Sequence, residues 1–201
     1  MSDAASGAQQ HDCRRRDQYA RSGRLRCGDD HQIDQHRERW RRVGWRLVPP
    51  GGTGITINAG VNDRINLRGL IIEGAGTGST GIHFVSGKSL TIGKCIVRNL
   101  ANSGIAISPS TPNVFSDVVV TDTILADTGG HGIYIQPSGN VGVTAVFNRV
   151  EAYSNAQDGI GAYANLMPDG YGVLVTVESS VAANNGVGFR AFTMSGKGPP
   201  C

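Results

Sequence analysis

Apolar residues recur along most of the chain in short alternating runs, and these runs repeat at a nearly constant interval. The best-defined run starts with glycine and continues with two apolar residues separated by one other residue. It occurs at Gly54–Ile57, Gly81–Phe84, Gly104–Ile107 and Gly132–Ile135, and more loosely at Gly159–Ala162 and Gly188–Ala191. The glycines are 27, 23, 28, 27 and 29 residues apart. Alternation with a period of two predicts β-strands rather than helices.

A second apolar run with a polar ending follows the glycine run in each repeat. It begins at Leu67, Ile92, Val120, Phe147 and Val177. Each unit therefore contains about three short strand-like pieces, separated by Gly, Asn, Asp or Ser turns. One unit cannot bury its apolar face alone, whereas stacked units can, with parallel strands about 4.8 Å apart. The repeat predicts an all-β fold, a single-stranded parallel β-helix (solenoid) of about five to six coils, truncated at both ends.

Residues at equal phase in successive coils are expected to stack on one another. The position after each repeat glycine predicts one inward column, formed by Ile55, Ile82, Ile105, Ile133, Ile160 and Phe189. The second run predicts another inward column, formed by Ile71, Ile96, Ile124 and Val181. The polar ends of the second run suit left-handed turns and a ladder of side chains. These residues are Asn99, Asp127, Asn155 and Asn184.

The string VPPGGTGITINAGVNDRINLRGLIIEGAGTGSTGI, which starts at Val48, resembles uncharacterised bacterial β-helix repeat proteins. These are part of the pectate-lyase-like right-handed β-helix superfamily, and the resemblance covers about residues 48–193. It implies a right-handed coil but no single activity, because this fold hosts lyases, hydrolases, adhesins and catalytically silent proteins. It also implies a secreted, periplasmic or cell-surface protein, although the sequence as written shows no secretory signal.

Charge separates the first 47 residues from the rest of the chain. Residues 1–47 hold 11 of the 19 basic residues, all of them Arg, and 7 of the 16 acidic ones. Residues 48–201 carry 8 basic and 9 acidic residues, a net charge of −1. The sequence pI of about 8.8 therefore reflects the first segment and predicts no nucleic-acid partner. No apolar run approaches the ~18 residues of a membrane span.

The Arg-rich segment lacks the alternation and the glycine starts of the remaining chain. A one-base shift of the reading frame over Arg14–Trp45, with suitable synonymous codons, yields a strand-like sequence with an Asp-Pro-Gly-Gly turn. We therefore predict that residues 1–47 are a non-native or disordered, frameshifted segment in place of the first coils. The β-helix is predicted over 48–197, followed by a tail at 198–201. Resequencing the gene upstream of Val48 tests the frameshift.

Candidate acid–base residues gather around His131. The residue before each repeat glycine holds one position of the coil, so His131 and Asp158 are expected on adjacent coils at about the 4.8 Å strand spacing. Asp127 precedes His131 in the same turn. Two carboxylates with a nearby His can act on a glycosidic bond. The string GGHGIYI resembles the Gly-His-Gly element of polygalacturonases, but their Asn-Thr-Asp, Asp-Asp and Arg-Ile-Lys elements are missing.

Aromatic residues suggest a sugar-binding surface instead. Tyr134 alternates with two isoleucines, so it is expected to face outward, and Tyr163 is near-equivalent one coil later. With Arg190, they are candidate ligand-binding residues, because exposed aromatic rings stack on saccharides. Strand propensity alone also explains tyrosine at these positions. The full set of aromatic candidates is Tyr134, Phe147, Tyr153, Tyr163, Tyr171 and Phe189.

No metal or cofactor signature occurs in the sequence. The four cysteines form no CxxC pair, and Cys95 lies in an apolar run where it is expected to act as a small hydrophobe. A lyase would need an acidic cluster for Ca²⁺ and a basic residue, whereas the acidic residues here are scattered. Asp122 and Glu151, with Lys94 and Arg149, could form at most a weak metal or sugar patch. No cofactor is expected, and Ca²⁺ only for a lyase.

Three hypotheses about function follow. The favoured one is a non-catalytic protein that presents a sheet face to a polysaccharide or to an envelope component, since no acid–base or metal cluster converges. The alternative is a polysaccharide-degrading enzyme, a glycoside hydrolase or lyase, that uses Asp127, His131 and Asp158. The third is the product of a degraded gene without function. The sequence leaves the ligand and the oligomeric state open.

Overall fold

The computed structural model describes residues 44–165 and 171–194, and every regular element in these ranges is a β-strand. The strands alternate between faces of the molecule as the chain winds. In chain order they are β1 Gly44–Leu47, β2 Thr53–Asn58, β3 Arg64–Arg68, β4 Leu70–Glu73, β5 Thr80–Ser86, β6 Ser89–Gly93, β7 Ile96–Leu100, β8 Ile105–Ile107, β9 Val114–Thr128, β10 Ile133–Ile135, β11 Val141–Tyr153, β12 Asp158–Asn165, β13 Val173–Glu178, β14 Val181–Ala183 and β15 Val187–Met194.

Two parallel sheets are formed by strands from successive coils. The six-stranded sheet has the order β15-β12-β10-β8-β5-β2, and its strands are the glycine runs. The nine-stranded sheet has β1, β4, β7, β9, β11 and β13 along its main path, with β3, β6 and β14 beside it. The buried apolar side chains of both sheets form one core. The predicted all-β solenoid of stacked parallel coils is confirmed.

The first predicted inward column is confirmed across all coils. Its residues pair in register from Ile55 through Ile82, Ile105, Ile133 and Ile160 to Phe189. The middle members are fully buried. Phe189 in β15, the last described strand, has the same register and is 49% exposed.

The second predicted inward column is wrong in its direction. Ile71, Ile96 and Ile124 do pair in register, but they face outward and are partly exposed. Glu151 and Val181 continue this outward row. The inward column lies one residue further along, at Ile72, Val97, Leu125 and Ala152, which are buried, and at partly buried Ala182. A shift by one residue moves every side chain of a strand to the opposite face.

Left-handed turns recur at the predicted corner of the coil. Asn99, Asp127 and Asn184 have φ of 54–55°, as predicted. Ser154, rather than Asn155, holds this conformation in its coil. A second left-handed corner, not predicted, lies at Gly69, Lys94, Asp122, Arg149 and Ser179.

Asn155 instead points into the coil and closes a buried polar ladder. Its Oδ1 accepts bonds from the backbone N and Oγ1 of Thr128 at 3.3 and 2.9 Å. Its Nδ2 donates to Oδ1 of Asn185 at 2.8 Å. Polar groups at a buried corner need such partners, because an unpaired buried amide is costly.

The repeat glycines are required by close contact between coils. A Cβ placed on Gly54, Gly81, Gly104, Gly132 or Gly159 would lie 2.5–2.7 Å from the carbonyl oxygen of the equivalent glycine one coil later. Real Cβ atoms do not come so close to a backbone oxygen. The recurrence of glycine in the sequence thus reflects coil stacking and not a left-handed φ.

The described solenoid starts earlier than the predicted boundary at residue 48. Strand β1 pairs in parallel with β4, with Gly44 opposite Leu70 and Leu47 opposite Glu73. Both large apolar residues of β1, Trp45 and Leu47, are exposed, so the strand is held mainly by its backbone. The predicted segment 1–47 otherwise lies outside the described residues, as do residues 195–197 and the predicted tail at 198–201.

Candidate functional site

His131 and Asp158 are brought together by the stacking of two coils, as predicted. His131 lies immediately before Gly132 at the start of one glycine run, and Asp158 begins β12 in the next coil. His131 Nδ1 lies 3.2 Å from Asp158 Oδ2, and it accepts a hydrogen bond from the backbone N–H of the same residue at 3.4 Å. The two contacts call for opposite tautomers, because Nδ1 must carry hydrogen to donate to the carboxylate and must lack it to accept from the backbone N–H.

Asp158 is the centre of a hydrogen-bond network. Its carboxylate is 1% exposed, and its Oδ1 accepts a bond from Nε of Arg190 at 2.8 Å. The hydroxyl of Tyr163 donates to Oδ2. Arg190 lies in β15 and keeps 42% of its side chain exposed. Three coils therefore contribute side chains to the network. Its carboxylate is buried, whereas Arg190 reaches the surface.

Gly161 makes room for this carboxylate. A Cβ on Gly161 would lie 2.6 Å from Oδ2 of Asp158 and 2.9 Å from the ring of Tyr163. Gly161 pairs with Tyr134 on one side and Arg190 on the other, in the outward row of the six-stranded sheet. The network is therefore built around a missing side chain.

The network changes the proton affinities of its members. Burial opposes the charge on Asp158, but hydrogen bonds from Tyr163 and Arg190 outweigh this and lower its pKa. Burial and the bond to the Asp158 carboxylate raise the pKa of Tyr163 to about 12. Burial lowers the pKa of His131, although the nearby carboxylate of Asp158 opposes the shift. At neutral pH the cluster thus holds one carboxylate, one guanidinium, a neutral imidazole and a neutral phenol.

Three aromatic rings run across the surface beside the network; we call Tyr134, Tyr163 and Phe192 the aromatic strip. The ring of Tyr134 stacks on His131 with centroids 4.8 Å apart. Tyr134 and Tyr163 have centroids 5.2 Å apart, and Tyr163 and Phe192 6.2 Å apart. Tyr134 is partly buried, which raises the pKa of its hydroxyl. Phe192 is 45% exposed. The strip combines ring contacts with exposed ring surface.

Phe192 and Gln136 were missed in the sequence analysis. Both have the same phase as Tyr163, four residues after a repeat glycine, which is the signal that identifies them. The register confirms this, because Tyr163 pairs with Phe192. The hydroxyl of Tyr134 donates to Oε1 of Gln136. In the two preceding coils of the same face, Nε2 of His83 lies 2.7 Å from Oγ of Ser108.

Asp127, the third predicted acid–base residue, is not part of the cluster. It is exposed at a left-handed corner, with φ of 54°. Within residues 44–165 and 171–194, no hydrogen bond or ion pair joins Asp127 to His131 or Asp158. A turn position separates its side chain from the strand face on which the other two meet.

The acidic and basic residues of the nine-stranded sheet form ion pairs at the surface. Arg149 donates to Asp122 from Nε at 2.6 Å and from Nη2 at 3.2 Å. The bond from Arg149 lowers the pKa of Asp122. Three or more potential metal ligands do not come together anywhere in the described part of the chain. Of the predicted weak patch, Asp122 and Arg149 are joined by this ion pair.

The remaining aromatic candidates are scattered. Phe147 is fully buried in the core and Tyr153 is exposed on the nine-stranded sheet. Tyr171 stacks on Phe115, with centroids 5.4 Å apart, and its hydroxyl donates to Oδ1 of Asn113. Phe189 belongs to the inward column. Cys95, as predicted, is buried, with its thiol directed at the carbonyl of Gly93.

The position of Asp158 differs from that of the carboxyl groups in most glycosidases. Glycosidases typically place two carboxyl groups on either side of the scissile bond, about 5–9.5 Å apart. Here the carboxylate of Asp158 is buried and already bonded to Arg190 and Tyr163. A group so enclosed can orient its neighbours but cannot touch a substrate.

Comparison with known proteins gives one finding. The profile of the family described as right handed beta helix region matches residues 26–187. The match begins inside the segment 1–47 that was predicted to lie outside the solenoid. Searches of the curated proteins and of the solved structures gave no match. In the described residues, no helix has the length and apolar character needed to cross a membrane.

Proposed function

The chain belongs to the right handed beta helix region family, and we propose that it binds a polysaccharide on the outer face of its six-stranded sheet. The observation that carries the proposal is the aromatic strip beside the Asp158 network. Tyr163 and Arg190 are held by the buried carboxylate, so ring and guanidinium are oriented before a ligand arrives. Binding to preorganised side chains costs less conformational entropy.

The chemistry of the strip suits a sugar ring. Aromatic faces pack against the apolar C–H faces of saccharides, while Gln136 and the exposed part of Arg190 can meet hydroxyl groups. A solenoid repeats its surface every ~4.8 Å along its axis, which gives a polymer several equivalent positions to contact. An extended chain fits such a surface better than a compact ligand does.

A double substitution of the strip tests this proposal. We expect the intact protein to retain polysaccharides on a glycan array, and Tyr134→Ala/Tyr163→Ala to lose about tenfold or more in affinity, because each stacked ring contributes ~0.5–1.5 kcal/mol. Tyr153→Ala is the matched control, since Tyr153 is an exposed tyrosine on the other sheet. Absence of any glycan binding by the intact protein, or equal losses in both variants, rejects the proposal.

A second function, cleavage of the bound polysaccharide, is favoured by the contact of 3.2 Å between His131 Nδ1 and Asp158 Oδ2. A buried carboxylate that orients a histidine is a known way to hold a general base. The test is release of reducing ends, or of unsaturated products with Ca²⁺ added, from the polymers that bind. Activity that disappears in His131→Ala while binding persists would establish cleavage.

A further inference from the structure

The outer face of the six-stranded sheet carries almost no charge. Its central outward row is continuous through all six strands, since each residue pairs with the next. The row consists of Thr56, His83, Ala106, Tyr134, Gly161 and Arg190. Of the 16 charged residues in the described ranges 44–165 and 171–194, only Asp158 and Arg190 lie on strands of this sheet.

These two charges cancel one another. Nε of Arg190 lies 2.8 Å from Oδ1 of Asp158, and Asp158 is 1% exposed. An ion pair at this distance presents a small dipole rather than a net charge to a ligand. An unpaired Arg190 would attract an anion at short range, because two opposite charges in contact near a protein surface interact favourably.

We infer that the polysaccharide bound on this face is uncharged, and that Asp158 determines this preference without touching the ligand. The inference rests on the proposed function. A uronate or sulfate group would have to lose water beside an already neutralised guanidinium, with little attraction in return. Hydroxyl groups and apolar ring faces meet no such penalty. Asp158 is therefore a specificity-determining residue that acts through Arg190.

Removal of the negative charge alone should reverse the preference. In Asp158→Asn the amide keeps the shape: its Oδ1 can still accept from Nε of Arg190 and its Nδ2 can donate to the hydroxyl oxygen of Tyr163, but Arg190 becomes an uncompensated cation. The double variant Asp158→Asn/Arg190→Gln restores neutrality. If the single variant folds poorly, the intact protein and the double variant still make the comparison, because the preference of the intact protein needs no substitution.

The experiment compares polymers that share a backbone and differ in charge. Affinity electrophoresis at low salt is run with polygalacturonate against its fully methyl-esterified form, and with dextran sulfate against dextran, beside the neutral polymers selected on the array. We expect the intact protein to bind the neutral member of a pair at least about tenfold more tightly. Asp158→Asn should gain about tenfold or more for the charged member, and the double variant should lose that gain.

Two outcomes overturn the inference separately from the proposed function. Equal or tighter binding of the charged polymer by the intact protein rejects the neutral preference but leaves glycan binding standing. A folded Asp158→Asn variant with an unchanged ratio between charged and neutral polymers rejects the role of Asp158. Failure of the intact protein to bind any polymer on the array or in the gels rejects the proposed function itself.

Discussion

The two sheets of this solenoid share one core but place charge in opposite ways. Strands of the nine-stranded sheet carry 11 charged residues in the described part of the chain, among them the pairs Glu73–Arg98 and Asp122–Arg149. Strands of the six-stranded sheet carry only Asp158 and Arg190. The first sheet has a solvated face with many weak pairs, whereas the second has one carboxylate buried under the surface.

The difference teaches where to look for a site on a repetitive fold. Exposed pairs contribute ~0–1 kcal/mol each and keep a sheet face soluble. A buried carboxylate is costly unless it is fully bonded, so its presence marks a place where the structure is specialised. Asp158 is bonded by side chains from its own coil and the next, and contacts His131 from the previous one. At Asp158 the side-chain chemistry thus departs from the repeat, although the strand pairing stays regular.

The largest expected difference in the free energy of unfolding is between a substitution in the inward column of the six-stranded sheet and one in the outward row of the nine-stranded sheet. Ile105→Ala should destabilise the protein by about 3 kcal/mol, because Ile105 is fully buried between two coils. Ile124→Ala should cost less than about 1 kcal/mol, since Ile124 faces outward. Urea unfolding followed by circular dichroism measures both. Equal losses would contradict the assigned register.

The next largest effect on stability is expected where two coils come into close contact. Gly132→Ala should cost about 2 kcal/mol or more, because the new Cβ would lie 2.5 Å from the carbonyl oxygen of Gly159. Gly172→Ala, before β13 of the nine-stranded sheet, is the control, since an added Cβ there meets no heavy atom within 4 Å. The midpoints of thermal unfolding give the comparison. Tolerance of alanine at Gly132 would show that the coils can separate there at little cost.

The buried ion pair of Asp158 and the exposed ion pair of Asp122 should also differ in their contribution to stability. Asp158→Ala is expected to cost about 2 kcal/mol, because the hydroxyl of Tyr163 and the guanidinium of Arg190 lose a buried acceptor. Asp122→Ala should leave the urea midpoint unchanged, because its pair with Arg149 is exposed to solvent. If loss of the exposed pair destabilises the fold as much as loss of the buried one, the contrast between the sheets fails.

The smallest effect is a difference in pH dependence. His131 has a lowered pKa in the folded state, so its contribution to stability is present above the unfolded value of ~6.5 and is lost as the pH falls below it. Glu73 on the nine-stranded sheet also has a lowered pKa, although burial opposes the shift. Its contribution is lost only below pH 4.5, its ordinary value.

Urea unfolding at pH values from about 7.5 down to about 3 resolves these two windows. We expect His131→Gln to remove the change around pH 6.5 and to keep the acidic one. Glu73→Gln should keep the change around pH 6.5 and weaken the acidic one, to which Asp158 and Asp122 also contribute. A change around pH 6.5 that persists in His131→Gln would assign it to another group.

The periodic sequence was sufficient to predict the solenoid and one complete inward column. Glycine followed by alternating residues recurs at nearly equal spacing, and side chains of equal phase must stack if parallel coils are to pair. It therefore predicted the register from Ile55 to Phe189 and the meeting of His131 with Asp158. The same phase rule would have found Gln136 and Phe192.

Which residues of the second apolar run face the core was decided only by the tertiary structure. In Leu70–Glu73, three consecutive apolar residues are compatible with either face, so alternation does not choose between Ile71 and Ile72. Packing against Gly54 decides it, because the methyl group of Ile72 fills the space where the glycine has no side chain. Asp127 was grouped with His131 because the two are close in sequence. The sequence did not show that a backbone turn directs their side chains to different faces.

The bonds of Asp158 were likewise decided only in three dimensions. Arg190 and Tyr163 lie at different phases from Asp158, and they meet it because Gly161 has no side chain to keep them apart. The sequence by itself determined which residues lie at the same height in neighbouring coils. The packing of side chains determined which of them touch, because contact depends on space left by small residues and on rotamers that a repeat pattern does not encode.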